Sequence, residues 1–263
     1  YILYCDQADM PGAFLDASRV TVVVERAGKY GLWEHVRLPF RAARDRLDLF
    51  HAPHYVLPAM LRCPSVVTVH DTIHLAAPPK MAFNAGYHYS RIIMGSAVRR
   101  ARVVIVDAEH TSYDLTQRFN VTPDKIWVIP LGVDPAFHPV ASDECSTWLA
   151  ERGLPARYLL HVGNHKPHKN LLRLVGAFAL VSERVDCCLV LCGRPDGHGE
   201  EVRREVARRG LSSRIVLMGE VPDDALRYLY AGARMLVLPS LYEGFGLPSL
   251  EAMACGTPVV VSD

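Results

Sequence analysis

A chain of 263 residues, half of them hydrophobic and 22% charged, has the balance of an ordinary globular protein and room for two domains. Its formal net charge of +1 leaves no electrostatic footprint for nucleic acid, and no run approaches the ~18 apolar residues of a membrane-spanning helix. Seven cysteines, an odd number without a C-x-x-C pair, point to free thiols in a reducing compartment, so a cytoplasmic location is expected.

In chain order, Tyr1–Cys5 and Val20–Glu25 read as short strands. Trp33 to Leu47 has helical spacing, with Val36, Phe40 and Leu47 as its apolar face and Arg37, Arg41 and Arg44 on the other side. That basic face is read as solvated, with contact to an anionic membrane surface as the alternative. Strands are expected at Leu49–Pro53, Ser65–Asp71, Arg102–Asp107 and Lys125–Pro130, with helices from about Ala82 to Arg100 and from Ala108 to Phe119. Strands alternating with helices predict parallel α/β units. The turn-rich segment Leu131–Pro139 breaks the pattern, dividing the chain into domains 1–138 and 139–263. The second half repeats the alternation, with strands at 157–163, 187–193, 214–219, 234–239 and 257–262. Its first helix has Leu171, Leu172, Val175, Phe178 and Ala179 as the expected apolar face. The fold class read from this order is α/β, with Rossmann-like doubly wound parallel sheets.

Between Arg234 and Asp263 the only charged side chains are Glu243 and Glu251. Glu251 lies on a short helix expected to begin near Pro248, with Leu247 four residues before it, Cys255 four residues after, and no Lys or Arg on its face. A buried carboxylate without a partner is costly. Either Glu251 reaches solvent or a distant Arg, or both glutamates accept hydrogen bonds from a polyhydroxylated ligand. The loop Gly244-Phe245-Gly246 lets backbone N–H groups at the start of the helix, at Leu247, approach an anion.

Open α/β sheets bind ligands beyond the carboxyl ends of their strands. There, Gly163 permits a tight turn, and Lys166 and Lys169 bring positive charge to a helix start where a diphosphate would sit. Read alone, that segment fits a solvated basic loop equally well. Arg194, Gly193, Glu220 and Val221 follow the next two strands. In the first half, His51, His70, Asp71 and Asp107 fall at strand ends. The histidine pairs His51/His54, His70/His74 and His165/His168 lack the H-E-x-x-H form and an acidic partner, so no metal site is expected.

The segment E-G-F-G-L-P-S-L-E-A-M-A-C-G-T-P-V-V, with seven residues between its glutamates, resembles the signature of group 1 retaining glycosyltransferases of the GT-B fold. The resemblance implies two Rossmann-like domains facing a cleft and transfer of a hexose from a nucleoside diphosphate sugar to the hydroxyl of a saccharide or lipid-linked acceptor, with retained configuration. It implies that Glu243 contacts the donor sugar and Glu251 the ribose. V-G-N-H-K-P-H-K-N-L resembles the family's V-G-x-x-x-P-R-K-N-L, which implies that Lys169 binds the diphosphate; His168 stands where Arg is usual. V-V-T-V-H-D resembles V-V-T-x-H-D, implying that His70 approaches the transferred sugar, and Val221 is implied beside the base. Trp33-Glu-His-Val-Arg-Leu-Pro39 resembles mannosyltransferases of polysaccharide assembly, which makes mannose the candidate hexose. No cofactor is implied beyond the donor. A sugar-nucleotide epimerase of the same fold and a non-catalytic nucleotide-sugar binding module are the alternatives. The chain starts and stops within strand-like runs where the family continues, so a fragment truncated at both ends, with impaired activity, is also expected.

Overall fold

In the computed structural model, residues 1–5, 19–25, 32–75 and 85–262 are described. The chain divides into two compact units, Tyr1–Pro130 and Leu131–Asp263.

The first unit contains a four-stranded parallel sheet in the order β3 (Phe50–Ala52), β4 (Ser65–Val69), β5 (Val103–Val106) and β6 (Ile126–Val128). Val67, Val69, Val104 and Val106 are wholly buried, as expected of parallel strands covered on both faces. Among the described residues, β1 (Ile2–Cys5) and β2 (Thr21–Val24) form a separate two-stranded parallel sheet rather than extending the larger one. Tyr4 nevertheless packs on the unit's core and donates to Asp45 at 2.7 Å. Among the described residues, the α-helices of this unit are α1 (Leu32–Arg44), α2 (Ala85–Arg100) and α3 (Glu109–Phe119). Of the helix expected from Ala82, the first three residues lie outside the described ones. Of the apolar face expected on α1, Leu47 packs on the core just past the helix, but Val36 and Phe40 lie on the outer side, 39% and 72% exposed. Leu38 and Ala42 pack inward.

The second unit runs α4 (Ser142–Glu151), β7 (Tyr158–Val162), α5 (Leu171–Val181), β8 (Cys188–Cys192), α6 (Gly199–Arg208), β9 (Ile215–Gly219), α7 (Asp223–Gly232), β10 (Met235–Leu238), α8 (Leu247–Ala254) and β11 (Val259–Val261). Its five parallel strands have the order β11-β10-β7-β8-β9. The chain winds outward from β7 through β8 to β9, then returns to lay β10 against the other side of β7. Helices therefore cover both faces. Leu160, Leu236, Leu229, Tyr230 and Ala252 build one core, and Leu189, Leu191, Val175, Phe178 and Val206 the other. Leu172, expected inside α5, is 39% exposed; Leu174 takes its place, completing the i, i+3, i+4, i+7 stripe Leu171, Leu174, Val175, Phe178.

One buried polar residue interrupts this sheet. His161 of β7 is 0% exposed, and its Nδ1–H donates to the Val237 carbonyl at 2.9 Å. Burial pushes its pKa down to about 4, so the ring is neutral near pH 7. Because the folded value lies below the unfolded one, stability is complete above about pH 6.5 and is lost as pH falls toward 4. About 2–3 kcal/mol is expected to go across that window. Urea titrations at stepped pH check this: His161→Gln should flatten the profile between those limits, and an unchanged acid slope would show that other groups carry it.

Candidate active site

The order of the second sheet reverses beside β7, so the loops after β7 and β10 leave neighbouring strands in opposite directions. Such a switch point opens a crevice at the carboxyl ends of the strands. The two loops are held to each other. Leu241 N–H donates to the His168 carbonyl at 2.7 Å, and Asn170 Nδ2 donates to the Pro239 carbonyl at 3.0 Å. Asn170 adopts φ 58°, ending the single turn Pro167–Lys169 and starting α5.

Across this clasp, Lys169 Nζ meets Glu243 Oε1 at 2.6 Å, with side-chain exposures of 12% and 30%. Glu243 is therefore not the unpartnered carboxylate that the composition of its segment suggested. Charge-assisted bonds of this length are strong, and partial burial keeps solvent from screening them away. Lys166, by contrast, is exposed. Lys169 drapes over Gly163, whose absent Cβ would lie 3.4 Å from Lys169 Cε and 3.5 Å from His161 Nε2.

Gly244 and Phe245 are half-buried and lead to Gly246, which adopts φ 87° as the N-cap of α8. No side chain caps that helix end; the first helical residue is Leu247, and Pro248 fits the opening turn. The N–H groups there remain directed outward with the positive end of the helix dipole. Glu251 follows one turn on, and its Oε2 accepts from Tyr230 Oη at 2.7 Å. Tyr230 is fully buried and its carbonyl in turn accepts from Thr257. Burial raises the pKa of Glu251, opposed by the tyrosine bond. The carboxylate is partly exposed, and its partner is this tyrosine rather than a distant Arg. Oε1 takes no partner among the described residues.

Beside β7 and β8 lies a depression lined by Gly163, Asn164, Gly193, Arg194, Glu220 and Val221. Gly163 and Val221 thus share one hollow, while Lys169 and Glu243 form the adjoining ion pair. Tyr230 was not foreseen; its only sequence signal is a tyrosine on the inner face of a helix, where a hydroxyl needs a partner.

In the first unit, His70 lies at the end of β4. Its Nδ1 is 2.7 Å from Asp107 Oδ2 and its Nε2 3.0 Å from the Pro53 carbonyl. Asp107 is 3% exposed. The loop that carries Pro53 is fixed by Arg100, which donates to the carbonyls of Leu57, Pro58 and Ala59 at 2.6–2.9 Å. Among the described residues, no group of three or more His, Cys, Asp or Glu could hold a metal ion.

The switch point of this doubly wound unit thus carries an ion pair, a glycine-capped helix start and a hydroxyl-held glutamate. Residues 3–137 match the family described as Glycosyltransferase Family 4, and residues 151–263 match Glycosyl transferases group 1. The chain belongs to this glycosyltransferase family, and its fold is of the GT-B type. It is 33% identical over 234 residues to O-antigen chain mannosyltransferase B of Escherichia coli, covering 87% of this chain and 61% of that protein. It is 28% identical over 234 residues to O-antigen chain mannosyltransferase RfbU of Salmonella typhimurium, covering 89% and 61%. The chain thus spans about three fifths of the length of these relatives. Among solved structures, Anabaena HepE in complex with UDP-glucose superposes with a TM-score of 0.76 at 21% identity, covering 99% of this chain and 79% of that one, which shows the fold.

The geometry at Glu251 carries an expectation. The carboxylate is held by Tyr230 through one oxygen, and if Glu251 takes the ribose role that its motif implies, the other oxygen is the one to meet the hydroxyls. Glu251→Gln is expected to weaken nucleoside and nucleotide binding alike by about 1–3 kcal/mol. Calorimetric titration with both ligands checks it; losses confined to the nucleotide would move Glu251 from the ribose to the phosphates.

Proposed function

We propose that the complete protein transfers a hexose, with mannose as the candidate, from a nucleoside diphosphate sugar to a hydroxyl of a saccharide or lipid-linked acceptor, with retention of anomeric configuration. The observation that carries this reading is the Lys169–Glu243 pair at the switch point, beside the open N-terminus of α8. A cation and free N–H groups suit a leaving diphosphate, on which charge grows in the transition state. Glu243 serves the sugar hydroxyls, Glu251 the ribose, and the hollow at Val221 the base. His70 takes the role its motif implies, toward the transferred sugar. The two mannosyltransferase relatives and the UDP-glucose complex of HepE support the class of donor and acceptor.

Charge compensation here comes from Lys169 and backbone N–H groups, so the reaction needs no metal in this reading. Transfer is expected to survive EDTA unchanged; loss on chelation with rescue by Mg²⁺ or Mn²⁺ would overturn that part. We place the protein in the cytoplasm, at the inner face of a membrane. Among the described residues no helix is long and apolar enough to cross one. The outer face of α1, however, sets Trp33, Val36 and Phe40, the first 66% exposed, among Arg37, Arg41 and Arg44. An apolar stripe flanked by arginines suits an anionic lipid surface. Co-sedimentation with vesicles containing anionic lipid should fall on Phe40→Glu.

The test of the main reading is a thermal-shift panel of UDP-, GDP-, ADP- and dTDP-sugars, followed by incubation of the stabilising donor with and without saccharide acceptor. Product that forms only with acceptor, with its anomeric proton unchanged in type by NMR, is the expected result. Epimerised sugar from donor alone would favour an epimerase, and stabilisation without turnover a binding module.

A further inference from the structure

We propose that Glu243 makes the site discriminate against the spent nucleoside diphosphate, by competing with it for Lys169. This rests on the reading of Lys169 as the diphosphate ligand. Lys169 is neutralised by a neighbour of its own chain: its ammonium is 2.6 Å from Glu243 Oε1, and only 12% of the side chain is exposed. The loops bearing the two residues cannot draw apart without breaking the clasp of Leu241 on His168 and of Asn170 on Pro239. The lysine stem is also held against Gly163. Beneath it, the neutral His161 offers no rival charge. Any diphosphate that takes Lys169 must therefore take it from a carboxylate that stays nearby.

The two ligands of the reaction differ in how they settle that exchange. An intact donor brings sugar hydroxyls, which donate to Glu243 and replace the bond it loses. The released nucleoside diphosphate brings none, and its terminal phosphate has gained negative charge. It leaves Glu243 unpaired beside a like charge, which is unfavourable in a partly buried site. The glutamate thus favours donor over product, and helps the product leave.

Binding of GDP and UDP to the complete protein, measured by calorimetry beside guanosine and uridine, tests this. Glu243→Gln is expected to bind the matching nucleoside diphosphate about tenfold more tightly than wild type, a typical size for coupling between adjacent groups. Glu243→Asp, one methylene shorter, should gain less, and provides a second folded variant. The nucleosides should be unaffected. Lys169→Ala should bind the diphosphate more weakly, and Lys169→Ala/Glu243→Gln should match Lys169→Ala alone. Unchanged or weaker diphosphate binding in both Glu243 variants would overturn the proposal. So would a gain that persists without Lys169, since that would be general charge repulsion rather than competition for the lysine. If Lys169→Ala does not change the preference for diphosphate over nucleoside, the phosphate role of Lys169 itself fails.

Discussion

Lys169→Ala is expected to lower turnover about 100- to 1,000-fold, the usual cost of removing one donor aimed at charge that develops in the transition state. Binding of the bare nucleoside should be spared, because the hollow at Val221 and the carboxylate of Glu251, proposed here for base and ribose, lie on other elements. The reason for so large an effect is the placement of the ammonium. Its stem is packed over Gly163 and its head lies in the switch-point crevice, so once the diphosphate has taken it from Glu243 it needs no further reorganisation when the leaving group charges. Exposed Lys166 is no substitute, and Lys166→Ala should change turnover little. Steady-state kinetics of both variants with one donor and acceptor decide the matter. Equal, small losses would return both lysines to the role of a solvated basic loop.

The alternation of apolar runs and turn formers was enough to place all four strands of the larger first sheet and all five of the second, because buried parallel strands must be nearly continuous in apolar residues. The faces of helices were harder to read. α1 carries two candidate stripes, Val36 with Phe40 and Leu38 with Ala42, and periodicity cannot tell which one meets the sheet. The smaller side chains went inside, leaving the larger beside arginines. Leu172 and Leu174 pose the same ambiguity within one turn of α5. For the site, Glu243 and Lys169 are legible as charged residues in the loops past strands, and Glu251 as a lone carboxylate on an apolar helix. Their pairing was not, since residues 74 positions apart meet only through the strand order. Tyr230 beneath Glu251, and Asp107 and Pro53 around His70, likewise depend on which strands and helices become neighbours.

Gly193→Ala should be among the most damaging substitutions in the second unit. Gly193 follows β8 with φ 143°, a backbone region that favours glycine. A Cβ there would project to 2.0 Å from the Gly163 carbonyl oxygen, a backbone atom that cannot rotate away. The loops after β7 and β8 would have to separate, with two bonds across that seam and a third tying Gly193 to the end of β9. Gly163 N–H donates to the Cys192 carbonyl at 2.9 Å, His165 N–H to the Arg194 carbonyl at 2.9 Å, and Gly193 N–H to the Gly219 carbonyl at 2.7 Å. Loss of most of these, with the strain at Gly193, amounts to about 3–5 kcal/mol. The same displacement would lift Gly163 from under Lys169 and widen the hollow it shares with Val221. Equilibrium urea unfolding and nucleotide titration are the two measurements, and both should show the loss. Gly197→Ala is the control: Gly197 also has a positive φ, 61°, but nothing lies within 4 Å of its Cβ position. Its cost should be only the local strain of about 1–2 kcal/mol, without loss of binding. Equal costs for the two variants would show that backbone conformation alone, and not the close approach of the two loops, explains the glycine after β8.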